Sequence, residues 1–406
     1  MTTHPVPAAR GRALGRATAA TMTAVTVAIT AAAALAGCGS PAVGSAVGKA
    51  RAPAAPRALA TSVSASGATW ATVRTGGRIT GGKFWQLLVR PAGSSRWRLA
   101  TPPGVADNGG LAVAGAGRSL SVGFVPNALL RFTPLATTTD GGTAWSQGLF
   151  QGGLTGAPSA LAVLPGNRLV AITAKAAEIS GPGGASWLPL VTLRALAASA
   201  ADRSCGLTRL TAVAASPAGD PLVAGQCRRA GVAGIFEHSA GGWHAVGQVL
   251  GGSLRRLRVS VLQMTSVAGG TRVLLTAGAG RSERVVPAFL AGGATDLTVG
   301  APLRVTGLPV TSSSFSQAGG WGVVLGGRSA WYFAPPGSAA GGGTVTGVSL
   351  SLPARGASLV LGSGRAAAGG PLTALVPGLD TVAVWQRTSA GTWQRIQVIG
   401  VPSAPD

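Results

Sequence analysis

Carboxylates come first in a search for catalysis, because a glycan-cleaving enzyme needs two of them close together. The chain has only 10 Asp and Glu residues, and several lie in turn-forming strings such as "GDP" and "GLD". No spacing marks two of them as a pair. Tyr332, the single tyrosine, lies in the apolar string "SAWYFAP", which favours packing over a nucleophilic role. The sequence therefore predicts no catalytic residue and favours a protein that is not an enzyme.

A metal centre would need several converging His, Cys or acidic side chains. The candidates are His238 and His244, which flank the turn "HSAGGWH", and Glu237 beside the first of them. A hairpin would bring the two histidines face to face, but no third ligand is assured. Glycine strings such as "GAGRS" are not followed by a helix, as a phosphate loop would require. We expect neither a metal nor a cofactor.

Residues 1–37 have the pattern of an export signal. A basic start is followed by an apolar run and then by small residues before a cysteine. The basic residues are Arg10, Arg12 and Arg16. The alternatives to a lipoprotein signal are an ordinary signal peptide and an uncleaved membrane helix.

The end of this segment resembles the lipobox of bacterial lipoproteins. The four residues concerned are Leu35, Ala36, Gly37 and Cys38. The resemblance implies cleavage before Cys38 and acylation of that residue, which would anchor the protein at the extracytoplasmic face of the cell membrane. Residues 38–57, rich in Pro, Ala, Gly and Ser, predict a flexible tether.

Cys205 and Cys227 remain as an even pair in an exported chain. Export leads to an oxidising compartment, so we expect a disulfide between them. A loop of this length would contribute roughly 3 kcal/mol on the chain-entropy model. The alternative is two free buried thiols.

The charge balance bears on possible partners. The formal net charge is +23, from 33 Lys and Arg against 10 Asp and Glu. Outside a membrane, a basic surface attracts anionic lipids or envelope polymers. Nucleic acid is not expected there. Arginine clusters at 255–258 and 228–229 predict a basic face, although a scattered solvated surface explains them equally well.

Glycines reveal an internal repeat. A glycine followed by a short apolar run recurs in steps of 50, 49, 53, 51, 50 and 50 residues. The seven glycines are Gly67, Gly117, Gly166, Gly219, Gly270, Gly320 and Gly370. Each unit shows four short strands separated by turns, as in "ALAVLPGNRLVAITAKAAEISGPGGASWLPLV". Four strands in about 50 residues predict a propeller blade, so residues 58–406 are expected to form an all-β, seven-bladed β-propeller with four-stranded antiparallel blades.

The turn before the last strand of a unit often ends in tryptophan. In the second unit, the turn contains Thr138, Asp140, Gly142 and Trp145. It resembles the Asp-box of the bacterial-neuraminidase-type repeat, found in propellers of sialidases and of many non-catalytic binding proteins. The resemblance supports the fold. Asp140 is expected to accept backbone N–H bonds within the turn, and Trp145 to pack between blades.

The sialidase activity of that family is not expected. A sialidase needs a nucleophilic tyrosine activated by a glutamate, an arginine triad and an aspartate acid. The single tyrosine, Tyr332, lies in an apolar strand, and the Phe/Tyr-Arg-Ile-Pro element is absent from the sequence. We therefore expect a membrane-anchored, monomeric binding or scaffold module for an envelope protein or an anionic envelope polymer. The alternative is a glycan-acting enzyme, sialidase-like or another glycoside hydrolase or lyase, with a site at the channel mouth. The ring should close by contact between residues 55–75 and 380–402, with Trp385 and Trp393 in the seam.

Overall fold

The computed structural model describes the chain from residue 60 to residue 402 with gaps. The described ranges are 60–65, 67–75, 84–102, 111–116, 119–124, 135–146, 154–156, 158–181, 186–247, 249–267, 269–279, 282–306, 309–316, 320–333, 347–361 and 372–402. The predicted signal peptide at 1–37, with its lipobox Leu35, Ala36, Gly37 and Cys38, and the predicted tether at 38–57 lie outside these ranges.

The described residues are mainly β-strands, which confirms the predicted all-β class. The strands fall into seven consecutive antiparallel groups, called strand groups 1–7. Strand group 1 contains β1 (Ala60–Ala65), β2 (Ala68–Thr75), β3 (Phe84–Arg90) and β4 (Arg98–Leu99). Strand group 2 contains β5 (Leu111–Ala116), β6 (Ser119–Phe124) and β7 (Leu135–Thr138). Strand group 3 contains β8 (Ala160–Leu164), β9 (Arg168–Ile172), β10 (Ala176–Ser180) and β11 (Trp187–Thr192).

The remaining groups follow the same order, with one additional strand in strand group 5. Strand group 4 contains β12 (Leu207–Ala215), β13 (Pro221–Cys227), β14 (Gly234–Ser239) and β15 (Gly242–Ala245). Strand group 5 contains β16 (Arg258–Val267), β17 (Gly270–Ala279), β18 (Ser282–Ala291), β19 (Leu297–Val299) and β20 (Leu303–Thr306), the last two both pairing with β18. Strand group 6 contains β21 (Val310–Phe315), β22 (Trp321–Leu325), β23 (Ser329–Phe333) and β24 (Gly347–Ser351). Strand group 7 contains β25 (Ser358–Val360), β26 (Thr373–Pro377), β27 (Thr381–Arg387) and β28 (Trp393–Gly400).

Helical structure is confined to short connections. The helix α1 (Leu193–Ala197) follows β11, and its first turn is capped by the Thr192 hydroxyl, which accepts the N–H of Ala195. In the described ranges, 3-10 turns lie at Pro165–Asn167, Ala200–Asp202 and Gly252–Leu254. Within the described part of the chain, no helix has the length and apolar character needed to span a bilayer.

Antiparallel pairing gives every strand group two distinct ends. The turns between first and second strands and between third and fourth strands lie at one end, here called the hairpin end. The turns between second and third strands and the links to the next group lie at the other, called the connection end. Three of the repeated glycines, Gly67, Gly166 and Gly219, lie in the first turn of the hairpin end with φ of 75°, 75° and 90°. This backbone region favours glycine, which explains why these three turns are marked by that residue.

Neighbouring strand groups share apolar cores through a tryptophan that lies in the turn after the third strand or begins the fourth strand. Trp145 packs with Trp70 of group 1, Trp187 with Leu135 of group 2, Trp393 with Leu350 of group 6, and Trp97 with Val384 of group 7. In each case the side chain reaches the preceding group. Because Trp97 is in group 1, its contact joins the first group to the last.

This direction of packing corrects one prediction. Trp393 was expected to fill the seam between the last and first groups, but it packs against group 6, and its indole N–H donates to the Ser351 carbonyl at 2.6 Å. The described core between groups 7 and 1 contains Trp97 and includes neither Trp385 nor Trp393. The reason is that each repeat points its turn residue the same way, towards the group before it.

Two of the first strands, β1 of group 1 and β21 of group 6, lie directly beside each other. β1 and β21 pair in parallel, with Thr61 opposite Ser313. Ser312, Ser313 and Ser314 are almost fully buried, at 2%, 1% and 0% exposure. The Ser314 hydroxyl accepts the N–H of Leu361 at 2.8 Å. Small side chains allow these strands to approach closely, and their hydroxyls are used to hold neighbouring strands together.

Candidate functional site

The turn at residues 138–145 is closed by its own side chains. The Thr138 hydroxyl donates to an Asp140 carboxylate oxygen at 2.8 Å and accepts the N–H of Gly142 at 2.9 Å. Asp140 accepts the N–H groups of Thr143 and Ala144, each at 3.0 Å. The bond from Ala144, followed by that from Thr138, lowers the pKa of the exposed Asp140 carboxyl. The carboxylate therefore serves the turn itself.

The same turn packs against strand group 1. Trp145 meets Trp70 edge to face, with ring centroids 6.2 Å apart. A Cβ on Gly142 would lie 2.9 Å from the Trp70 ring, so this position has no room for a side chain. Arg98 donates to the carbonyls of Gly141 and Gly142. These contacts give the turn a structural role at the hairpin end.

The candidate metal ligands do not converge. Strand register pairs Glu237 with His244 and His238 with Trp243 on β14 and β15. His244 Nε2 lies 3.3 Å from the Glu237 carboxylate, whereas the His238 ring lies 4.9 Å from the Trp243 ring. The two histidines occupy neighbouring cross-strand pairs, whose side chains alternate between faces. No cluster of three or more His, Cys, Asp or Glu able to hold a metal occurs among the described residues.

Two further polar residues belong to the packing. Tyr332 lies on β23 against the core of groups 6 and 7, and burial raises the pKa of its hydroxyl. Glu178 is 1% exposed, and its carboxylate accepts bonds from the N–H and hydroxyl of Thr155 and from the Thr173 hydroxyl. These bonds connect the link between groups 2 and 3 to the body of group 3.

The connection end of strand group 4 is the most cross-linked loop region of those described here. Cys205 and Cys227 are joined by a disulfide, with Cα atoms 4.8 Å apart. Cys205 precedes β12 and Cys227 ends β13, so the bridge joins the link from group 3 to the turn after β13. A Cβ on Gly234 would lie 2.8 Å and 2.9 Å from the two sulfurs. Glycine at this position leaves the space that the bridge occupies.

Backbone bonds hold the loops on either side of the bridge together. The N–H groups of Arg228 and Arg229 donate to the carbonyls of Gly206 and Cys205, at 2.9 Å and 3.0 Å. Gly231 then contacts the next loop, since its N–H donates to the Leu257 carbonyl at 2.8 Å. Gly231 has φ of 71°, and a Cβ there would lie 2.4 Å from the Arg255 carbonyl oxygen. Three loops distant in sequence thus form one continuous surface.

This surface carries exposed arginines from all three loops. We call it the basic connection surface, defined by Arg203, Arg228, Arg229, Arg255 and Arg256. The loops at 198–206, 228–233 and 249–257 contain one acidic residue, Asp202. The basic clusters at 228–229 and 255–258 that the sequence shows lie at the same end of the strand groups, and Arg203 lies at this end as well.

Asp202 is not available to pair with the arginines of this surface, because its carboxylate is buried and accepts a backbone N–H. It is 4% exposed, and its two oxygens accept the N–H of Leu207 at 3.0 Å and 2.8 Å. Burial raises the pKa of this carboxyl and outweighs the bond from Leu207. Sequence analysis did not assign this role. The available signal was a lone acidic residue three positions before a cysteine in an otherwise basic loop.

Comparison with known proteins bears on the fold. No protein-family model matches the chain, and no curated protein matches it. Among solved structures, it is similar to the periplasmic gluconolactonase PpgL of Pseudomonas aeruginosa, with a TM-score of 0.51 and 14% identity over 82% of this chain and 97% of that one. It is also similar to YCF48 from Cyanidioschyzon merolae, with a TM-score of 0.43 and 16% identity over 79% and 94%.

A lectin gives a third match. The Aleuria aurantia lectin AAL, solved with alpha-methyl-L-fucoside, has a TM-score of 0.40 and 14% identity over 85% of this chain and 97% of that one. Identities this low concern the fold alone, and of these three matches only the one to PpgL supports a fold assignment. With the order of antiparallel strand groups, it shows that the chain has a β-propeller fold.

Proposed function

We propose that this protein is a non-catalytic binding module that holds an anionic polymer of the cell envelope on its basic connection surface. The observation that carries the proposal is that three loops bearing arginines contact one another. The single acidic residue among these loops is buried. Guanidinium groups form paired hydrogen bonds with phosphate and carboxylate oxygens, so such a surface suits a polyanion. Because the disulfide and backbone bonds already fix these loops, binding would lose little conformational entropy.

The proposed location follows from the amino-terminal sequence. We propose that residues 1–37 are removed, that Cys38 is lipidated, and that residues 38–57 tether the propeller outside the cell membrane as a monomer. A tether that long would let the propeller reach polymer near the membrane. Cys38→Ala should move the protein from the detergent phase to the aqueous phase in partitioning. Unchanged partitioning would rule out the lipid anchor.

We also propose that strand groups 1–7 are the seven blades of a closed ring and that the 138–145 turn is an Asp-box. Ring closure is supported by two hydrogen bonds between Gln397 and the backbone of Trp97. The Gln397 amide oxygen accepts the Trp97 N–H at 2.8 Å, and the Gln397 amide nitrogen donates to the Trp97 carbonyl at 2.7 Å. Deleting residues 380–406 should open the ring and expose apolar strand edges. A truncated protein that stays monomeric with unchanged melting behaviour would contradict a closed ring.

The binding proposal is tested by charge removal with matched total charge. The test variant is Arg203→Gln, Arg228→Gln, Arg229→Gln. The control variant removes three exposed arginines elsewhere, as Arg96→Gln, Arg168→Gln, Arg395→Gln. Binding to immobilised polyphosphate and polygalacturonate is measured over a range of salt concentrations. Both variants lose the same net charge, so a difference between them reports the location of binding.

We expect weaker binding from the test variant alone. For a flexible polyanion, each lost phosphate contact should reduce the slope of log K against log salt by about 0.7, giving a change of roughly 2 for three arginines. Equal losses in both variants would show binding through net charge and would contradict a specific surface. Cleavage of either polymer by the purified protein would contradict the non-catalytic function and support the glycan-acting alternative.

A further inference from the structure

Two arginines lie directly opposite each other in strand group 5. Strand register pairs Arg284 of β18 with Arg304 of β20. Directly opposed residues in antiparallel strands have Cβ atoms about 5 Å apart, and like charges there destabilise the sheet. A pair of this kind is a poor choice for stability unless a negative charge is placed between or above its members.

The nearest carboxylate in sequence points away from this pair. Arg284 shares a face of β18 with Val286, which is buried in the core between groups 4 and 5. Glu283 shares the other face with Val285, which is buried in the core between groups 5 and 6. Side-chain alternation therefore leaves Arg284 and Arg304 on the face towards group 4, with Glu283 on the opposite face.

The loop that links groups 4 and 5 brings two more arginines to the same seam. Arg284 reaches this loop and donates to the Ser253 hydroxyl at 2.6 Å. Gly252, Ser253, Arg255 and Arg256 line an open depression beside it. A Cβ on Gly252 would meet no atom within 4 Å, so the space in front of the loop is free. The bond from Arg284 fixes the position of this depression relative to the paired strands.

Arg255, Arg256, Arg284 and Arg304 are called the seam arginines. Arg255, Arg256 and Arg304 are exposed, and Arg284 is half-buried. Among the described residues, none of the four forms an ion pair with a carboxylate. The ion pair that the structure does show joins His244 and Glu237. Four cations at one seam without a protein counter-charge are best neutralised by a compact anion of high charge density.

We propose that the seam arginines form a binding site for a phosphate group. This inference rests on the proposed function: at this site the basic connection surface would hold a phosphate of an anionic envelope polymer. A phosphate offers more acceptor oxygens than a carboxylate, and each guanidinium can donate two parallel bonds to it. The opposed pair Arg284 and Arg304 gives the site its selectivity, because two guanidiniums on neighbouring strands can share the tetrahedrally arranged oxygens of one phosphate, whereas a carboxylate offers two oxygens in one plane.

The experiment uses inorganic tripolyphosphate as the probe and citrate as a carboxylate of comparable charge. Binding is measured by calorimetry and by the shift in melting temperature, for the wild type, Arg304→Gln, and the control Arg168→Gln. No side-chain hydrogen bond or ion pair of Arg304 is described, so its replacement removes no such contact. Arg168 serves as the control because it begins β9 at the hairpin end. A second variant, Arg256→Gln, tests the loop side of the site.

We expect tripolyphosphate to raise the melting temperature of the wild type and to bind at least tenfold more tightly than citrate. Arg304→Gln and Arg256→Gln should each weaken tripolyphosphate binding about tenfold, and Arg168→Gln less than twofold. Without anion at low salt, Arg304→Gln should melt at or above the wild-type temperature, because repulsion from Arg284 is removed. A merely structural role would instead lower it.

Several outcomes would overturn the site. Arg304→Gln binding tripolyphosphate as tightly as Arg168→Gln would exclude it, and citrate binding as tightly as tripolyphosphate would exclude selectivity for phosphate. The proposed function fails separately. Polymer retention without tripolyphosphate binding contradicts the site alone, whereas tripolyphosphate binding without polymer retention contradicts the polymer-binding function alone.

Discussion

Asp140 and Asp202 perform the same task in two regions of the molecule, with opposite consequences for their own acidity. Each carboxylate accepts backbone N–H groups and holds a turn. Asp140 is exposed, and the N–H of Ala144 lowers the pKa of its carboxyl. Asp202 is buried, and burial raises the pKa of its carboxyl despite the bond from Leu207. A backbone N–H bond therefore lowers the pKa of the exposed carboxyl, whereas at the buried carboxyl its effect on the pKa is smaller than that of burial.

The two turns also differ in what they position. The turn around Asp140 directs Trp145 and Gly142 against Trp70, so its side chains serve packing between strand groups. The loop around Asp202 leads into the disulfide at Cys205 and carries an exposed arginine on its outer side. A recognisable motif marks the first turn. The second has no motif, although it belongs to the surface proposed to bind the ligand.

The largest effect should come from removing the disulfide beneath the second turn. Cys205→Ala with Cys227→Ala frees a loop of 22 residues and should lower the free energy of unfolding by about 3 kcal/mol. It should also weaken polyphosphate binding, because the bridge joins the two loops that carry Arg203 and Arg228. Calorimetric melting and polymer retention measure the two effects.

The control for this variant is the unreduced wild type. Its non-reducing digest should contain one peptide pair linked through Cys205 and Cys227. Two free thiols in the oxidised, purified protein would contradict the bridge. Loss of stability without loss of polymer binding would show that the bridge supports the fold alone.

A smaller effect is expected at the first turn. Gly142→Ala places a Cβ 2.9 Å from the Trp70 ring at φ of 80°, whereas Gly141→Ala places one in open space at φ of 78°. The left-handed backbone costs roughly 1 kcal/mol at both positions. The contact with Trp70 should add about 1–2 kcal/mol at Gly142 alone.

Melting temperatures of the two glycine variants separate strain from crowding. Gly142→Ala should melt clearly below Gly141→Ala, and both should keep wild-type polymer binding because they lie at the hairpin end. Equal melting temperatures would mean that Trp70 moves aside without cost. Weakened polymer binding in either variant would contradict the division of roles between the two regions.

The repeat is predictable from the sequence because its signal is local. Gly67, Gly166 and Gly219 mark turns whose backbone requires glycine, so their spacing survives in the sequence. The direction of packing left no such mark. Trp393 belongs to a predictable turn, but whether it faces group 6 or group 1 depends on the hand of the repeated unit, which only the folded chain shows.

The arginines of the basic connection surface were predictable from the sequence, but the contact between the loops that carry them was not. The arginine clusters were visible, whereas their union depends on backbone contacts such as the Gly231 N–H with the Leu257 carbonyl. Likewise, Arg284 and Arg304 stand opposite because β20 pairs with β18 after β19 has already done so. β19 and β20 follow one another along the same edge of β18, so the fourth strand of this group is interrupted, and a sequence repeat predicts only what is repeated.

The smallest effects should come from Asp140→Asn and Asp202→Asn, and they should depend on pH in opposite directions. The folded state lowers the pKa of Asp140 from 3.8, so its contribution to stability is present above that value and is lost as pH falls through the folded pKa. The folded state raises the pKa of Asp202 from 3.8, so its contribution is present below that value and is lost as pH rises through the folded pKa.

Relative to the wild type, Asp140→Asn should therefore be most harmful at neutral pH. Asp202→Asn should become less harmful, or stabilising, as pH rises from about 3 to 7, since it removes a buried charge while its amide oxygen can still accept the N–H of Leu207. Melting temperatures of both variants across this range measure the difference, and parallel profiles would show that burial does not separate the two carboxylates.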